Sequence, residues 1–322
     1  MKLLKNKLLR MILKRIAQSI IVLVIVTLLV FLIMQAVPGD PISIFLGDAA
    51  TPEMVAHYTE IFGFDQPVHI QYARWIMGLF QGEMGRSVVM QTEISEVLFE
   101  RFANTLTVVL PAFIIAVIIG TTLGVVAALN RGKPIDSVVT FIANIGMAMP
   151  TFWIAILGIY IFALTLGILP VQGFVPPAQD LGESVRRLIM PVTVMSFGPL
   201  ASFARQTRSA MLEVIRQDYV RTAEAKGLKY GKVILKHQLR NSLIPIVTVM
   251  GVSLGFMIGA TVLIESIFVI PGMGNLMITA IRTRDFMVVQ NCVLLIALAV
   301  CVCNLIVDIL YGIIDPRIRD SM

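Results

Sequence analysis

Charge is scarce in this sequence. Only 14% of its 322 residues are Asp, Glu, Lys or Arg, 57% are hydrophobic, and the mean hydropathy is +0.87. Soluble domains carry about 25% charged residues, so the deficit excludes an ordinary soluble domain and indicates a membrane protein. Cysteine is nearly absent too: Cys292, Cys301 and Cys303 are all there are, which excludes a disulfide framework. Two residues apart on a helix, Cys301 and Cys303 point to different sides and do not chelate one ion. Three histidines, His57, His69 and His237, are scattered, and no HExxH or CxxC occurs. Neither Gly132-Lys133 nor Gly231-Lys232 is followed by Ser or Thr or preceded by the required glycine, so a nucleotide-binding loop is missing. No G-x-S-x-G elbow is present. The chain is therefore expected to be no enzyme, with no metal site, no cofactor of its own and no nucleic-acid partner.

Long hydrophobic runs are what the sequence has instead. A spanning helix needs roughly 20 mostly apolar residues, and six charge-free stretches meet or approach that length: Ile16–Gly39, Phe102–Asn130, Ser137–Gln179, Leu188–Ala204, Asn241–Ile264 and Phe286–Val307. The third is too long for one helix. Gly167, Pro170, Gly173, Pro176 and Pro177 punctuate its second half, which predicts a helix to about Leu166 and then a loop. The fourth is short and carries Pro191, Gly198 and Pro199. An all-α integral membrane protein of about six transmembrane helices is expected. Ahead of the first, residues 1–15 alternate Leu and Lys at helical spacing. They are expected either to lie on the inner surface, held by membrane lipid, or to extend the first helix. The run at 16–39 is too long for a signal peptide and is read as the first span.

Basic residues orient the bundle. With both termini cytoplasmic, the interior segments 1–15, 131–136, 205–240 and the C-terminal tail hold 19 of the 26 Lys and Arg, and the exterior segments hold seven. That bias follows the positive-inside rule. The exterior segment 40–101 has nine acids against three bases. Thr51-Pro52-Glu53 is a helix start and Gly63 a stop, and the amphipathic stretch IQYARWIMGLFQG follows, so a small extracytoplasmic helical cap is expected there. Residues 102–314 would be a five-helix core and 315–322 a cytoplasmic tail. Charge inside the spans is limited to Glu265 near the outer end of the fifth and Asp308 near the inner end of the sixth. Both are read as structural groups at helix ends rather than proton carriers.

One interior segment is too polar to span and too patterned to be a tether: Tyr219–Pro245, YVRTAEAKGLKYGKVILKHQLRNSLIP. Residues 205–216 continue the fourth helix. Asp218 is expected to cap a short helix, Tyr219 to Lys226, stopped by Gly227 in a left-handed turn. Ala223 and Ala225 would let a partner approach closely, between Arg221, Glu224 and Lys226. Tyr230–Asn241 would lead back into the fifth span.

This segment resembles the EAA loop of bacterial ABC-importer permeases, in the form found in the dipeptide, oligopeptide and nickel permease family. Other strings carry the same resemblance: VPGDP at Val37–Pro41, FGFDQPVHIQYARWIMGLFQGEMGRS at Phe62–Ser87, Arg101 with Asn104-Thr105-Leu106, ESIFVIPGMGNLMITAIRTRDF at Glu265–Phe286, and IDPRIR at Ile314–Arg319. They are similar to that family's first permease subunit, with the long first exterior loop. One departure stands out. The general pattern has Glu-Ala-Ala six to four residues before the glycine, whereas Arg221-Thr222-Ala223 precede Gly227 here, and Pro245 lies eighteen residues later. The role of the consensus glutamate is therefore not transferred to Glu224.

The resemblance implies a multi-pass permease of the bacterial inner membrane, forming half of a translocation path for peptides or a nickel or metal chelate. It implies a homologous second permease subunit, two cytoplasmic ATPase subunits that bind ATP and Mg, and an extracytoplasmic substrate-binding protein. Coupling to the ATPases would run through Tyr219, Arg221, Ala223, Glu224, Ala225, Lys226 and Gly227 in the loop 205–242. Two other classes compete. A secondary transporter needs ionisable groups or broken helices at the midplane. A non-transporting membrane scaffold would also use a basic inner loop.

Overall fold

The computed structural model describes residues 2–37, 41–47 and 50–314. Within them, regular structure is helical apart from one isolated bridge, Arg86 to Glu93. Pro38, Gly39 and Asp40 of the VPGDP string, most of the IDPRIR string and the tail 315–322 lie outside the described residues.

The first helix, α1, runs unbroken from Lys2 to Ala36. No Pro or Gly interrupts those residues, so nothing separates a surface segment at 1–15 from the span, and the helical-extension reading holds. Three short helices follow on the outer side: α2 (Pro41–Leu46), α3 (Pro52–Phe62) and α4 (Val68–Gln81). As the local signals require, the Thr51 hydroxyl accepts from Met54 N–H, and Gly63 closes α3 at φ 70°. Helix α5 (Ile94–Leu129) begins well before the charge-free run at Phe102, so 94–101 belong to a core helix and not to the exterior segment. Ile94 and Leu98 are its buried face there, packed with Met273, Leu276 and Val289.

The third apolar stretch is not one straight helix. Helix α6 (Pro134–Ala148) ends at Met149 in extended backbone, and α7 (Thr151–Gly158) leaves at 103° before a π-helical turn over Ile159–Thr165. Pro150 is the cause, since the residue before a proline is pushed out of helical geometry. The fourth span, by contrast, is continuous: α8 (Leu181–Val214) carries Pro191 and Pro199 inside it. Next come the short α9 (Asp218–Ala225) and α10 (Tyr230–Lys232), which passes through a π-helical stretch, Val233–Leu239, into α11 (Arg240–Phe268). Two helices complete the chain, α12 (Met273–Arg282) and α13 (Phe286–Ile314). Among the described residues, five helices are long and apolar enough to cross a membrane, six if the bent α6–α7 pair is one span.

Helices α5 and α8 run parallel and form the tightest seam. Ala112, Ala116, Gly120, Gly124 and Ala128 recur every fourth residue of α5, one stripe of a helix without bulk. A methyl added at Gly120 would meet the Leu200 carbonyl oxygen, and one at Gly124 the Ala204 carbonyl oxygen and the Thr207 side chain. Such backbone approach is how helices associate where the hydrophobic effect between them is weak. Gly124→Leu is expected to force α5 and α8 apart and destabilise the fold by about 1–3 kcal/mol or more. A lower yield of thermally stable, monodisperse protein in detergent checks it.

Buried polar groups fasten the outer ends. Glu265 is 1% exposed. Its carboxylate accepts from the Thr105 hydroxyl (2.6 Å) and from Asn275 N–H (2.9 Å), while the Thr105 oxygen accepts from Met273 N–H (2.9 Å). Glu265 thus caps α12, where a negative charge meets unpaired N–H groups and the positive end of the helix dipole. Asp285 does the same for α13: it accepts from Val288 N–H and also from the Ser87 hydroxyl and Val89 N–H. The exterior helices are therefore not a loose lid. Asn291 on α13 donates to the Met84 carbonyl and accepts from the Trp75 indole, and Phe31 on α1 stacks with Trp75 and meets Tyr72 edge-on. At the opposite end, Arg15 on α1 pairs with Asp308 on α13 at 3.0 Å.

Candidate coupling site on the inner face

Helix α8 delivers the chain to the inner face as one rigid element, and its end is fixed by an ion pair. Arg208 binds Asp136 with both nitrogens, Nε to Oδ1 at 2.5 Å and a terminal nitrogen to Oδ2 at 2.8 Å. The Asp136 carboxylate, 6% exposed, also accepts from Gly132 N–H at 3.1 Å. This fork joins α8 to the turn between α5 and α6, ten residues before α9 begins. Bidentate guanidinium–carboxylate pairs fix orientation as well as distance. Neither residue was singled out by sequence reasoning, although Asp136, the one acid in the basic inner segment 131–136, was a usable signal.

Helix α9 has an inner and an outer side. Val220 (1% exposed) and Ala223 (5%) pack with Val233, Val214 and Leu228. Ala223 is therefore a packing residue and is not available to a partner, contrary to the sequence expectation. Three residues on from Val220, it falls on the same face of the helix. Tyr219, Arg221, Glu224, Ala225, Lys226 and Gly227 are exposed, with Thr222 among them. The Tyr219 hydroxyl accepts from the Asn241 side chain at 3.1 Å, which ties the start of α9 to the start of α11. Arg221 and Asp218 approach to 3.8 Å, both in solvent, a geometry that contributes little. The cap also differs from expectation: Gln217 occupies it without a side-chain bond, and Asp218 is the first helical residue. An acid there still favours the helix through its dipole.

The far end of α9 is a complete glycine stop. Gly227 sits at φ +74°, its N–H bonds the Glu224 carbonyl at 2.9 Å, and Leu228 N–H bonds the Ala223 carbonyl at 3.4 Å. This pair of bonds defines the Schellman motif, and the accompanying apolar contact is made by Leu228 and Ala223. The result is a short, stiff helix lying between two bends, its apolar side packed on Val233 of the π-helical stretch and on Val214 and Leu228, its polar side outward. Among the described residues no group of three or more His, Cys, Asp or Glu side chains is gathered as for a metal ion.

Comparison with known proteins identifies the frame that carries this loop. Residues 120–320 match the family described as binding-protein-dependent transport system inner membrane component, and residues 8–109 match its N-terminal counterpart. A putative peptide transport system permease protein of Brucella abortus is 41% identical over 96% of this chain and 98% of its own length. The di/tripeptide transport system permease protein DppB of Pseudomonas aeruginosa is 40% identical over 91% of this chain and 94% of its own. The oligopeptide transport system permease protein AppB of Bacillus subtilis is 37% identical, covering 96% and 98%. Among solved structures, a chain of the inward-facing MetNI methionine ABC transporter aligns with TM-score 0.55 and 18% identity over 69% of this chain and 97% of that one, a likeness of fold. The chain therefore belongs to the family of binding-protein-dependent transport system inner membrane components, the permease subunits of ABC importers.

Proposed function

We propose that this permease imports peptides and is driven through α9 by two cytoplasmic ATPase subunits, which bind ATP and Mg. A homologous second permease subunit completes the translocation path, and an extracytoplasmic binding protein delivers the cargo. The membrane is the bacterial inner membrane. Peptides are favoured over a nickel or metal chelate because the relatives described above are named as peptide permeases.

The observation that carries the coupling role is the geometry of α9. A helix that transmits force must be held on one side and open on the other. Val220 and Ala223 are the held side; Arg221, Glu224, Ala225 and Lys226 are open. A partner's closure shifts only states that it contacts differently, and the Arg208–Asp136 fork and the Tyr219–Asn241 bond carry a push on α9 to two core helices. Broken helices do not separate this reading from a secondary transporter, since α6 and α7 meet at 103° at Pro150. An ion-coupled secondary transporter would also need ionisable groups at the midplane, whereas Glu265 and Asp308 lie toward helix ends and are engaged structurally.

Cysteine crosslinking in the assembled transporter tests the assignment. Ala225→Cys is expected to crosslink to an ATPase subunit with a yield that changes on ATP binding, and Ala223→Cys to remain unreactive. Crosslinks from neither position, or from Ala223 alone, would overturn it. The cargo is tested by uptake of labelled di- and tripeptides with the cognate binding protein.

A further inference from the structure

The segment that joins α9 to α11 is wound differently from the helices on either side of it. From Tyr230 to Phe268 the chain is helical throughout, yet Val233–Leu239, between α10 and α11, is π-helical. Its hydrogen bonds reach the fifth residue rather than the fourth, and such turns are rare and fall frequently at functional sites. The buried positions show the extra residue directly. Val233, Gln238, Ser242 and Ile246 form one inward face, in steps of five, four and four residues. An α-helix running back from Gln238 would present Ile234 on that face instead of Val233.

The side chains here suit both windings. Val233 and Ile234 are adjacent, apolar and β-branched, so either can fill the place beneath α9. Carbonyls at the junction are served by side chains rather than left to the helix ladder alone: the Asn241 amide donates to the His237 carbonyl at 2.8 Å, and the Ser242 hydroxyl to the Leu239 carbonyl at 2.9 Å. One turn on, Pro245 has no N–H to offer the Asn241 carbonyl. The present winding also carries a cost. Gln238 is 2% exposed, yet its side-chain oxygen accepts no hydrogen bond among the described residues, and buried polar atoms are rarely left so.

Helix α9 is attached across this stretch. The Tyr219–Asn241 bond pins its start beyond the π-helical residues, while its other end joins their near side through Leu228 and Lys229. Displacing the free end of α9 therefore twists one side of the stretch against the other. We infer that Val233–Leu239 is a winding switch: π-helical here and α-helical in a second state. The change turns α10 against α11 by one residue, about 100°, and replaces Val233 by Ile234 beneath Val220. This inference rests on the coupling role of α9 and adds the part that converts a push into rotation at the foot of a spanning helix.

Disulfide trapping in the assembled transporter tests it, with Cys292, Cys301 and Cys303 changed to Ala. Val220→Cys is combined with Val233→Cys in one chain and with Ile234→Cys in another. The ratio of their disulfide yields is expected to change at least about fivefold between the nucleotide-free and the vanadate-trapped transporter. A constant ratio would overturn the switch. Deletion of Leu235, which is 67% exposed, removes the extra residue, so the stretch winds as an α-helix with Val233 still beneath Val220 and nothing left to rewind. That variant should assemble normally and lose uptake at least about tenfold; uptake at the parental level would also sink the switch. The Ala225→Cys crosslink to the ATPase separates this inference from the coupling reading. A constant ratio beside an ATP-dependent crosslink removes the switch alone, whereas a changing ratio without any crosslink keeps the switch and removes the ATPase from α9.

Discussion

Gly227→Val is expected to reduce peptide-stimulated uptake at least about tenfold while leaving membrane insertion and assembly with partner subunits unchanged. The reason lies in the backbone. Gly227 occupies φ +74°, where a β-branched residue is strongly disfavoured. Strain of this kind costs on the order of 1–3 kcal/mol, and 1.4 kcal/mol is a factor of ten in an equilibrium constant. Crowding is not the cause, because a methyl at Gly227 would meet no atom within 4 Å. Relief must come from unwinding the turn, which breaks the Gly227–Glu224 and Leu228–Ala223 bonds and frees the end of α9. ATP hydrolysis by the partner subunits should then continue without uptake. Gly227→Asn supplies the control, since asparagine tolerates the left-handed region better than other side chains do, and it should retain most of the transport. Equal uptake by the valine and asparagine variants, with hydrolysis still coupled, would remove the lever role from this turn.

That turn was legible in the sequence because its cause is local: a glycine after a polar helix, with the chain turning back toward the membrane. Thr51 and Gly63 around α3 are of the same kind. The spans were legible because their charge-free length is itself the physical requirement for crossing. What escaped was tertiary. The break at Pro150 is the exception, since its cause is local; but Pro111, Pro191, Pro199 and Pro245 lie inside unbroken helices, so a proline alone does not mark a break, and a single helix to Leu166 was expected where two meet at 103°. The start of α5 at Ile94 is decided by Ile94 and Leu98 packing on α12 and α13, while the intervening Glu96 and Glu100 made those residues resemble exterior loop. On α9, composition identified the surface helix, but which alanine faces inward depended on where Val233 returns. The fork between Asp136 and Arg208 spans 72 positions, and nothing near either residue announces the other.

That fork carries the second large effect, and it should be asymmetric. Arg208→Leu leaves the Asp136 carboxylate buried with its remaining partners Gly132 N–H and, at 3.5 Å, Thr140. Removing one member of a buried pair costs about 3–5 kcal/mol, because the other charge stays uncompensated. Asp136→Leu leaves instead a guanidinium whose side chain is 29% exposed and can turn toward water, so its cost should be lower. The double variant, with neither charge, should be more stable than Arg208→Leu alone, since burying two apolar groups avoids the desolvation of both ions. Arg208→Lys keeps the charge but loses the two-pronged geometry, and an intermediate loss is expected. Thermal unfolding of the assembled transporter in detergent orders the four variants. Thiol accessibility of Ala223→Cys, measured in each background, then separates stability from transmission. If the fork holds α8 in register with α9, accessibility at that buried position should rise in Arg208→Leu and fall back in the double variant only as far as packing replaces the pair. Unchanged accessibility alongside lowered stability would make the fork a fastener of α6 to α8 with no part in moving α9.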